Sequence, residues 1–299
     1  MGKVDTGMKY GIALAGGGTR GAAHVGVLLA LEEHGLCPSY IAGTSAGGIV
    51  AGLYAAGYSA KQMGEIVRDL SKHWRRLMDP NYSGLLKAVC SLLCLGCTAG
   101  LSGLIKGNRL ERYFHQLVGE KRMCDCRIPT VIPAVDLNTG HTIAYVHTRS
   151  SLLHLADVQW NREALLYEAM RATSAYPVVF QPKPMGNQYL VDGGISDNLP
   201  VNLLMASGVP QVLAIDLSSP YQPPKKRDLI EIASHSLTIM QSRLQDCITR
   251  GERLSLNPQL PDDAGLLTFD QMIPCMEAGY HAAQEAIPTI KAAFGRIKN

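Results

Sequence analysis

The amino-acid sequence predicts a single α/β domain with a mostly parallel central sheet and helices on both faces. Strand-like and helix-like segments alternate along the chain, which is the pattern of this fold class. A strand-helix-strand-helix unit lies within about the first fifty residues, and the handedness of such units makes its two strands parallel. With 299 residues, 46% of them hydrophobic, the chain can bury one large core.

The opening unit is predicted from two apolar runs that are stopped by glycines. Residues 9–15 form the first strand, because a short apolar run of this kind is typical of buried parallel strands. A helix over residues 22–34 follows, and the second strand is residues 40–43. An Ala/Gly-rich helix over residues 46–56 comes next. Ligand sites of open α/β sheets form at the carboxyl ends of such strands.

The rest of the chain continues the alternation without an internal repeat. Further strands are predicted at residues 130–136, 142–147, 188–191, 211–216 and 254–256. Further helices are predicted at residues 162–172, 201–207, 228–247 and 269–287. The resulting division is a tail over 1–9 and one domain over 10–299, with its motifs in 12–205 and a last strand and helices in 206–299.

An uncharged stretch over residues 88–105 could be mistaken for a membrane span. Gly96, Gly100 and Gly103, with Ser and Thr between them, make it too weakly apolar, and a span would interrupt the sheet. We predict instead that residues 80–107 form a lid or an interfacial segment beside the active site. A buried core hairpin is the alternative.

The net charge and the cysteine content bear on which partners, cell compartment and metal clusters we expect for the protein. A formal net charge of +3 with 18% charged residues is too mild for a nucleic-acid binder and suits an anionic membrane surface only weakly. The sequence shows no secretory signal ahead of its eight cysteines, so we expect reduced thiols in a cytoplasmic protein. Cys90, Cys94 and Cys97 have a spacing used for iron-sulfur clusters, but they share one face of an apolar run, which favours packing thiols.

Residues 43–47 fit the nucleophile elbow, Gly-x-Ser-x-Gly. The strand must turn sharply into a helix here, and a Cβ at Gly43 or Gly47 would block that close approach while Ser45 is lifted out as the nucleophile. The start of a helix also favours negative charge on the serine oxygen. The position between a predicted strand and a predicted helix makes this pentapeptide informative.

A glycine loop over residues 16–21 follows the first strand. Its Gly-x-Gly-x-x-Gly pattern fits a dinucleotide site, which would need an acidic residue at the end of the next strand. That strand ends in Gly43 and Ser45 instead. The N–H groups of Gly16, Gly17 and Gly18 can equally hold a developing oxyanion. We favour the oxyanion hole over a nucleotide-binding module.

The serine needs a base, and Asp192 is the best candidate. It ends a short strand and is followed by Gly193 and Gly194, which let the backbone crowd the carboxylate. An ordinary Asp-Gly turn is the alternative. None of the nine histidines lies in a recognisable motif. An α/β-hydrolase triad ending at His235 or His281 therefore ranks low.

These pieces, in this order, resemble the patatin-like phospholipase family, in particular its bacterial members. Residues 16–21 are similar to its oxyanion motif, 43–47 to its serine elbow and 192–194 to its Asp-Gly-Ala/Gly motif. Residues 172–180 resemble the segment before the aspartate, and 265–270 resemble the ending of bacterial members. The likeness runs from about residue 10 to near the C-terminus.

The resemblance implies a phospholipase A or lysophospholipase that uses a Ser45–Asp192 dyad without histidine, metal or cofactor. Gly17 and Gly18 would hold the oxyanion, and water would release the acyl-enzyme. Arg20 would stabilise the glycine loop or attract an anionic head group. Poor solvation should raise the basicity of Asp192. Peripheral membrane contact fits this function, and a non-catalytic membrane-surface scaffold with the same fold remains an alternative.

Overall fold

The computed structural model describes residues 9–84, 86, 102–218, 221, 223, 229–247 and 251–295. Within them the strands are β1 Gly11–Leu14, β2 Tyr40–Gly43, β3 Thr130–Asp136, β4 Thr142–His147, β5 Val158–Asn161, β6 Lys183–Met185, β7 Gln188–Asp192, β8 Val212–Ile215 and β9 Leu254–Leu256. The α-helices are α1 Ala22–Glu33, α2 Ala46–Ala56, α3 Ala60–His73, α4 Asn108–Val118, α5 Leu166–Thr173, α6 Val201–Ala206, α7 Leu229–Cys247 and α8 Met272–Phe294.

The described strands form one sheet, which is mostly parallel as predicted. Its main path runs β5-β4-β3-β2-β1-β8-β9, and β6 and β7 branch from β3. The core strands β3, β2, β1, β8 and β9 are mutually parallel, whereas β4 and β7 run antiparallel to β3. After β1 the chain continues to β2, which lies on one side of β1, whereas β8 lies on the other side. The carboxyl end of β1 is therefore a switch point, where α/β sheets bind their ligands.

Helices cover both faces of the sheet. A Cβ placed on Gly11 of β1 would lie 2.9 Å from Leu204 of α6. A Cβ on Gly48 of α2 would instead lie 3.3 Å from Ile132 of β3. The strand register and the alternation of side chains put Gly11 and Ile132 on opposite sides. The prediction of helices on both faces is confirmed.

The sheet forks beside β3. The first residues of β3 pair with β2, through Thr130 and Val131. Its last residues pair with β7 on the same edge, with Ala134 opposite Asp192. Since β7 runs antiparallel, it ends where β2 and β3 diverge. The last residue of β7 is thus brought next to the turn that follows β2.

Helices α1 and α8 pack through glycines. A Cβ on Gly26 of α1 would fall 1.9 Å from the Met276 carbonyl oxygen, and a Cβ on Gly279 of α8 would fall 2.0 Å from that of Ala23. The two helix backbones therefore touch, and α8 is held against the helix that leaves the glycine loop. The same helix extends to Phe294, whose ring stacks on Tyr10 beside β1.

Four described elements were not predicted. They are α3, α4, β5 and β6. Strand β6 has three residues, and β5 is only half-buried, so both lack the apolar run that marks the central strands. The helix predicted at 162–172 begins at Leu166, because the Asn161 side chain accepts hydrogen bonds from the N–H groups of Glu163 and Ala164 and holds a turn there. The last helix runs seven residues beyond its predicted end at 287, to Phe294.

The predicted lid over 80–107 falls largely outside the described residues, as do Cys90, Cys94 and Cys97. Its two described ends lie side by side. The N–H of Asn81 donates to the Leu104 carbonyl, and the N–H of Ile105 donates to that of Val179. The segment over 80–107 therefore starts and ends next to residues 178–180.

Candidate active site

Ser45 occupies a sharp turn between β2 and α2. Its backbone has φ 54° and ψ −120°, and residues other than glycine rarely adopt such a positive φ. Glycines make the turn possible, because a Cβ on Gly43 would lie 2.1 Å from the Gly47 carbonyl oxygen and a Cβ on Gly47 would lie 2.4 Å from that of Leu14. The strained serine and its flanking glycines have the geometry of a nucleophile elbow.

Hydrogen bonds from buried neighbours hold this turn. The N–H of Ser45 donates to Oγ1 of Thr173 over 2.9 Å, and Thr173 is fully buried at the end of α5. The N–H of Thr44 donates to the Leu14 carbonyl, and its hydroxyl donates to the Asp197 carbonyl. The amide of Ser45 is thereby committed to Thr173 and does not point into the cleft as a free donor.

Asp192 ends β7 at the fork of the sheet and is 1% exposed. Its Oδ1 accepts the N–H of Gly194 over 2.8 Å. Burial raises the pKa of the carboxyl to about 7, against the lowering effect of hydrogen bonding from the Ser45 hydroxyl and the Gly194 N–H. The structure therefore brings the two predicted residues together, and burial shifts the pKa of Asp192 in the direction expected from poor solvation.

The second oxygen of Asp192 is available to the serine. Among the described residues, no partner lies at full hydrogen-bond distance from the buried Oδ2, although the Ser45 hydroxyl is near enough to lower the pKa of the carboxyl. Such loose contacts between nucleophile and base are common without substrate and tighten when it binds. Gly193 keeps the carboxylate close to β3, since a Cβ there would lie 2.4 Å from the Pro133 carbonyl oxygen.

The glycine loop faces the same cleft, with one change to the prediction. The N–H of Gly16 donates to the Asn198 carbonyl over 2.9 Å, so Gly16 anchors the loop and offers no free donor. A Cβ on Gly16 would lie 3.3 Å from the Cβ of Ser45. Among the described residues, the N–H groups of Gly17 and Gly18 have no acceptor. These two amides are the ones that could hold an oxyanion.

The loop is fixed by the segment over 265–268. Gly18 has φ +59°, and a Cβ there would lie 2.3 Å from the Leu266 carbonyl oxygen. That carbonyl accepts the N–H of Thr19, and the hydroxyl of Thr19 donates to the Gly265 carbonyl over 2.7 Å. Gly18 is thus required by its own conformation and by its neighbour. The distant segment sets the direction of the loop amides.

Arg20 supports the glycine loop from within. Its Nε donates to the Gly17 carbonyl over 3.3 Å. The side chain is largely buried, and this burial lowers the pKa of the guanidinium. This contact is one that a loop-stabilising role requires, and both that role and the attraction of an anionic head group stay predictions for Arg20.

A large apolar cavity opens at Ser45. Its volume is about 170 Å³, and it extends from the glycine loop between α2, α3 and α4. An apolar cavity of roughly 150 Å³ accommodates benzene. Apart from Ser45, Thr19 and Ser174, nearly all its lining side chains are aliphatic, aromatic or thioether groups, among them Leu53, Met63, Leu70 and Phe114. The cavity is suited to the hydrocarbon part of a ligand.

No histidine serves as a partner for this serine in the structure. All nine histidines lie within the described residues, and none lines the cavity at Ser45. The most deeply buried is His24, whose Nε2 donates to the Ala15 carbonyl over 2.8 Å, and burial lowers its pKa to about 4. His24 therefore supports the end of β1 as a neutral ring. Neither His235 nor His281 takes the place of Asp192.

Neither a metal site nor a membrane-spanning helix is present in the described part of the chain. There, no group of His, Cys, Asp and Glu is arranged to hold a metal ion. Cys37, Cys124, Cys126 and Cys275 are free thiols. No helix in these ranges has both the length and the apolar character that crossing a bilayer requires.

Sequence reasoning missed two residues that position the site. The Thr173 hydroxyl oxygen accepts a hydrogen bond from the Ser45 N–H. The Asn198 carbonyl accepts one from the Gly16 N–H, and the side-chain oxygen of Asn198 lies near Gly16 and Gly194. Thr173 stands in the segment over 172–180 that resembles the family pattern, so that resemblance could have drawn attention to it. Asn198 carried no signal beyond its place six residues after Asp192.

Comparison with known proteins identifies related chains. The family model for patatin-like phospholipase matches residues 12–205. The mouse protein "Patatin-like phospholipase domain-containing protein 6" is 28% identical over 219 residues, which are 73% of this chain and 14% of that protein. "Lysophospholipase NTE1" of Debaryomyces hansenii is 26% identical over 224 residues, which are 73% of this chain and 12% of that protein. The chain thus corresponds to a small part of these relatives.

VipD from Legionella pneumophila superimposes with a TM-score of 0.48 at 15% sequence identity. The match covers 96% of this chain and 69% of that one.

Proposed function

The chain belongs to the patatin-like phospholipase family, and from this premise we propose that it is a serine hydrolase of carboxylic esters in lipids. Ser45 is the nucleophile and Asp192 its base. The observation that carries this proposal is the buried carboxylate beside a strained serine, at the open end of an apolar cavity. Its substrate class is a phospholipid or lysophospholipid, because the cavity suits an acyl chain and a relative is named lysophospholipase.

The reaction proceeds through an acyl-enzyme. The Ser45 oxygen attacks the ester carbonyl carbon while Asp192 accepts the hydroxyl proton, and the N–H groups of Gly17 and Gly18 hold the oxyanion. The tetrahedral intermediate collapses, and the departing alcohol takes the proton from Asp192. Water then attacks the acyl carbonyl and gives a proton to Asp192. As the second tetrahedral intermediate collapses, Asp192 returns this proton to the departing Ser45 oxygen and the fatty acid is released. No histidine, metal or cofactor takes part in this sequence.

Release of fatty acid from a lipid tests the proposal. We expect the purified chain to liberate fatty acid from palmitoyl lysophosphatidylcholine, and a fluorophosphonate probe to label Ser45 covalently, as located by peptide mass spectrometry. The Ser45→Ala variant is the control and should neither hydrolyse the lipid nor take up the label. Hydrolysis that survives in Ser45→Ala, or labelling at another residue, would contradict the assignment of the nucleophile.

Activity is expected to rise with pH and to reach half of its maximum at about pH 7, because only the ionised form of Asp192 accepts the serine proton and its pKa is raised to about 7. The rate is lost as the pH falls below this value. A pH profile of kcat/KM for p-nitrophenyl butyrate measures the midpoint, with spontaneous hydrolysis subtracted by using Ser45→Ala. A midpoint near 4, the ordinary value for Asp, would show that burial does not tune this group.

Replacing Thr173 with valine is expected to lower kcat about 10- to 100-fold with little change in KM. Valine has a similar shape but leaves the Ser45 N–H without its acceptor, a loss of about 1–3 kcal/mol. The serine then leaves its strained orientation more readily. Thr173→Ser, which keeps the hydroxyl, is the matched control and should stay within a few-fold of the wild type. Equal rates of fluorophosphonate labelling in both variants would argue against this positioning role.

A further inference from the structure

Helix α7, Leu229–Cys247, contacts two segments of the candidate active site. A Cβ on Gly194, two residues after Asp192, would lie 2.9 Å from Nε2 of Gln241. The hydroxyl of Tyr176, a residue that lines the cavity, donates to the Ser234 carbonyl over 3.4 Å. The inner face of α7 is thus attached to the two segments that bound the serine and its base.

The outward side of α7 carries large apolar side chains that are exposed to solvent. Ile239 is 43% exposed, Met240 67%, and Ile232 and Leu244 are exposed as well. Arg243, on the same helix, is exposed as well. Scattered single exposed apolar residues need no explanation, but four on one helix beside an active site form an unusual surface.

One residue on the inner face of α7 contacts the lining of the cavity. Leu237 of α7 packs against Tyr176 and Phe180, which line the cavity. Leu237, Met240 and Leu244 are spaced three and four residues apart, so they follow one another along the helix. Leu267, at another part of the cavity lining, is 43% exposed. Exposed apolar side chains therefore stand both on α7 and on the cavity lining, beside the candidate active site.

We propose that the outward apolar side of α7 docks on the surface of a lipid bilayer, so that the cavity opens toward the lipids. This inference rests on the proposed function for the identity of what enters the cavity. A second copy of the chain is a poorer occupant, because a stable protein interface needs about 20–30 residues from each partner, whereas an amphipathic helix binds a bilayer through one apolar stripe. Arg243 within the stripe suits anionic head groups.

Vesicle sedimentation tests this docking surface. The full chain carrying Ser45→Ala, which leaves the lipid intact, is mixed with vesicles of phosphatidylcholine and phosphatidylglycerol in equal parts. We expect it to sediment with them, and the added double substitution Ile239→Glu and Met240→Glu to weaken vesicle binding about tenfold or more. Both side chains are exposed, so the fold should be kept. The control pair Leu137→Glu and Leu153→Glu changes equally exposed residues on other elements and should bind like its parent.

Two further measurements separate this inference from the proposed function. With Ser45 intact, the Ile239→Glu, Met240→Glu variant should hydrolyse the soluble ester p-nitrophenyl butyrate at the wild-type rate. Equal vesicle binding by this variant and its parent, or absence of binding by both, would overturn the docking surface without touching the hydrolase proposal. Dimers in analytical ultracentrifugation that dissociate in the double variant would also overturn it, in favour of a second copy on this face.

Discussion

Replacing Asp192 with asparagine is expected to lower the rate of p-nitrophenyl butyrate hydrolysis by about 10²- to 10⁴-fold, the contribution of a positioned general base. Asparagine has nearly the same shape, and its side-chain oxygen can keep the hydrogen bond from the Gly194 N–H. What it lacks is a site for the Ser45 proton. The loss should therefore appear in kcat, with the fold retained.

Histidine substitutions provide the comparison for this experiment. His235→Ala and His281→Ala should keep the wild-type rate, because neither side chain lines the cavity at Ser45. Turnover that persists in Asp192→Asn would remove the Ser–Asp dyad from consideration. Loss of turnover in a histidine variant that remains folded would instead point to a triad.

Asp192→Asn, which lowers the activity, is also expected to raise the stability of the fold at high pH. The folded protein raises the pKa of Asp192 to about 7, so it holds this proton more tightly than the unfolded chain does. Stability linked to this group is present at low pH and is lost as the pH rises toward and through about 7. Asparagine has no charge to bury. We therefore expect Asp192→Asn to melt at a higher temperature than the wild type at about pH 8 and to show little advantage at about pH 4.

Replacing Gly43 with alanine is expected to destabilise the fold by more than about 4 kcal/mol, at the extreme of single substitutions. The added Cβ would lie 2.1 Å from the Gly47 carbonyl oxygen and 2.7 Å from the Gly48 nitrogen. Both are backbone atoms of α2, so no side-chain rotation can relieve the overlap. Helix α2 would have to move away from β2, and the elbow would open. Soluble yield and thermal unfolding measure the effect.

The glycine of α3 offers a matched control. A Cβ on Gly64 would meet its nearest neighbours, in Arg68 and Met276, at an ordinary contact distance of 3.6 Å. Alanine is a better helix former than glycine by about 1 kcal/mol, so Gly64→Ala should raise stability. A Gly43→Ala protein that unfolds like the wild type would show that the close approach of β2 and α2 is not needed.

The elbow, the glycine loop and the central strands could be predicted because each depends on residues adjacent in sequence. Gly43 and Gly47 predict a tight turn by their spacing, and the apolar runs around them predict buried strands. The α3 helix could also have been predicted, since Ser59 and Gln62 form a capping box at its start.

Other features depend on contacts between distant parts of the chain. The Gly16 amide is taken by Asn198, and only the packing of the loop reveals this. The pairing of β7 with the far half of β3 likewise has no local signal, because β6 and β7 are short and half-buried at their outer ends. The proximity of Asp192 to Ser45 follows from that pairing. From the sequence, it was supported only by the family resemblance.

The fork in the sheet also bears on when the chain can act. Ser45, its glycine loop and its helix all precede β7 in the chain, so they are synthesised first. Asp192, the base in the proposed mechanism, arrives only with β7, which pairs with β3. A nascent chain that stops before Asp192 therefore carries an elbow with no proton acceptor. On the proposed mechanism, ester cleavage must therefore wait until the branch strand has joined the sheet.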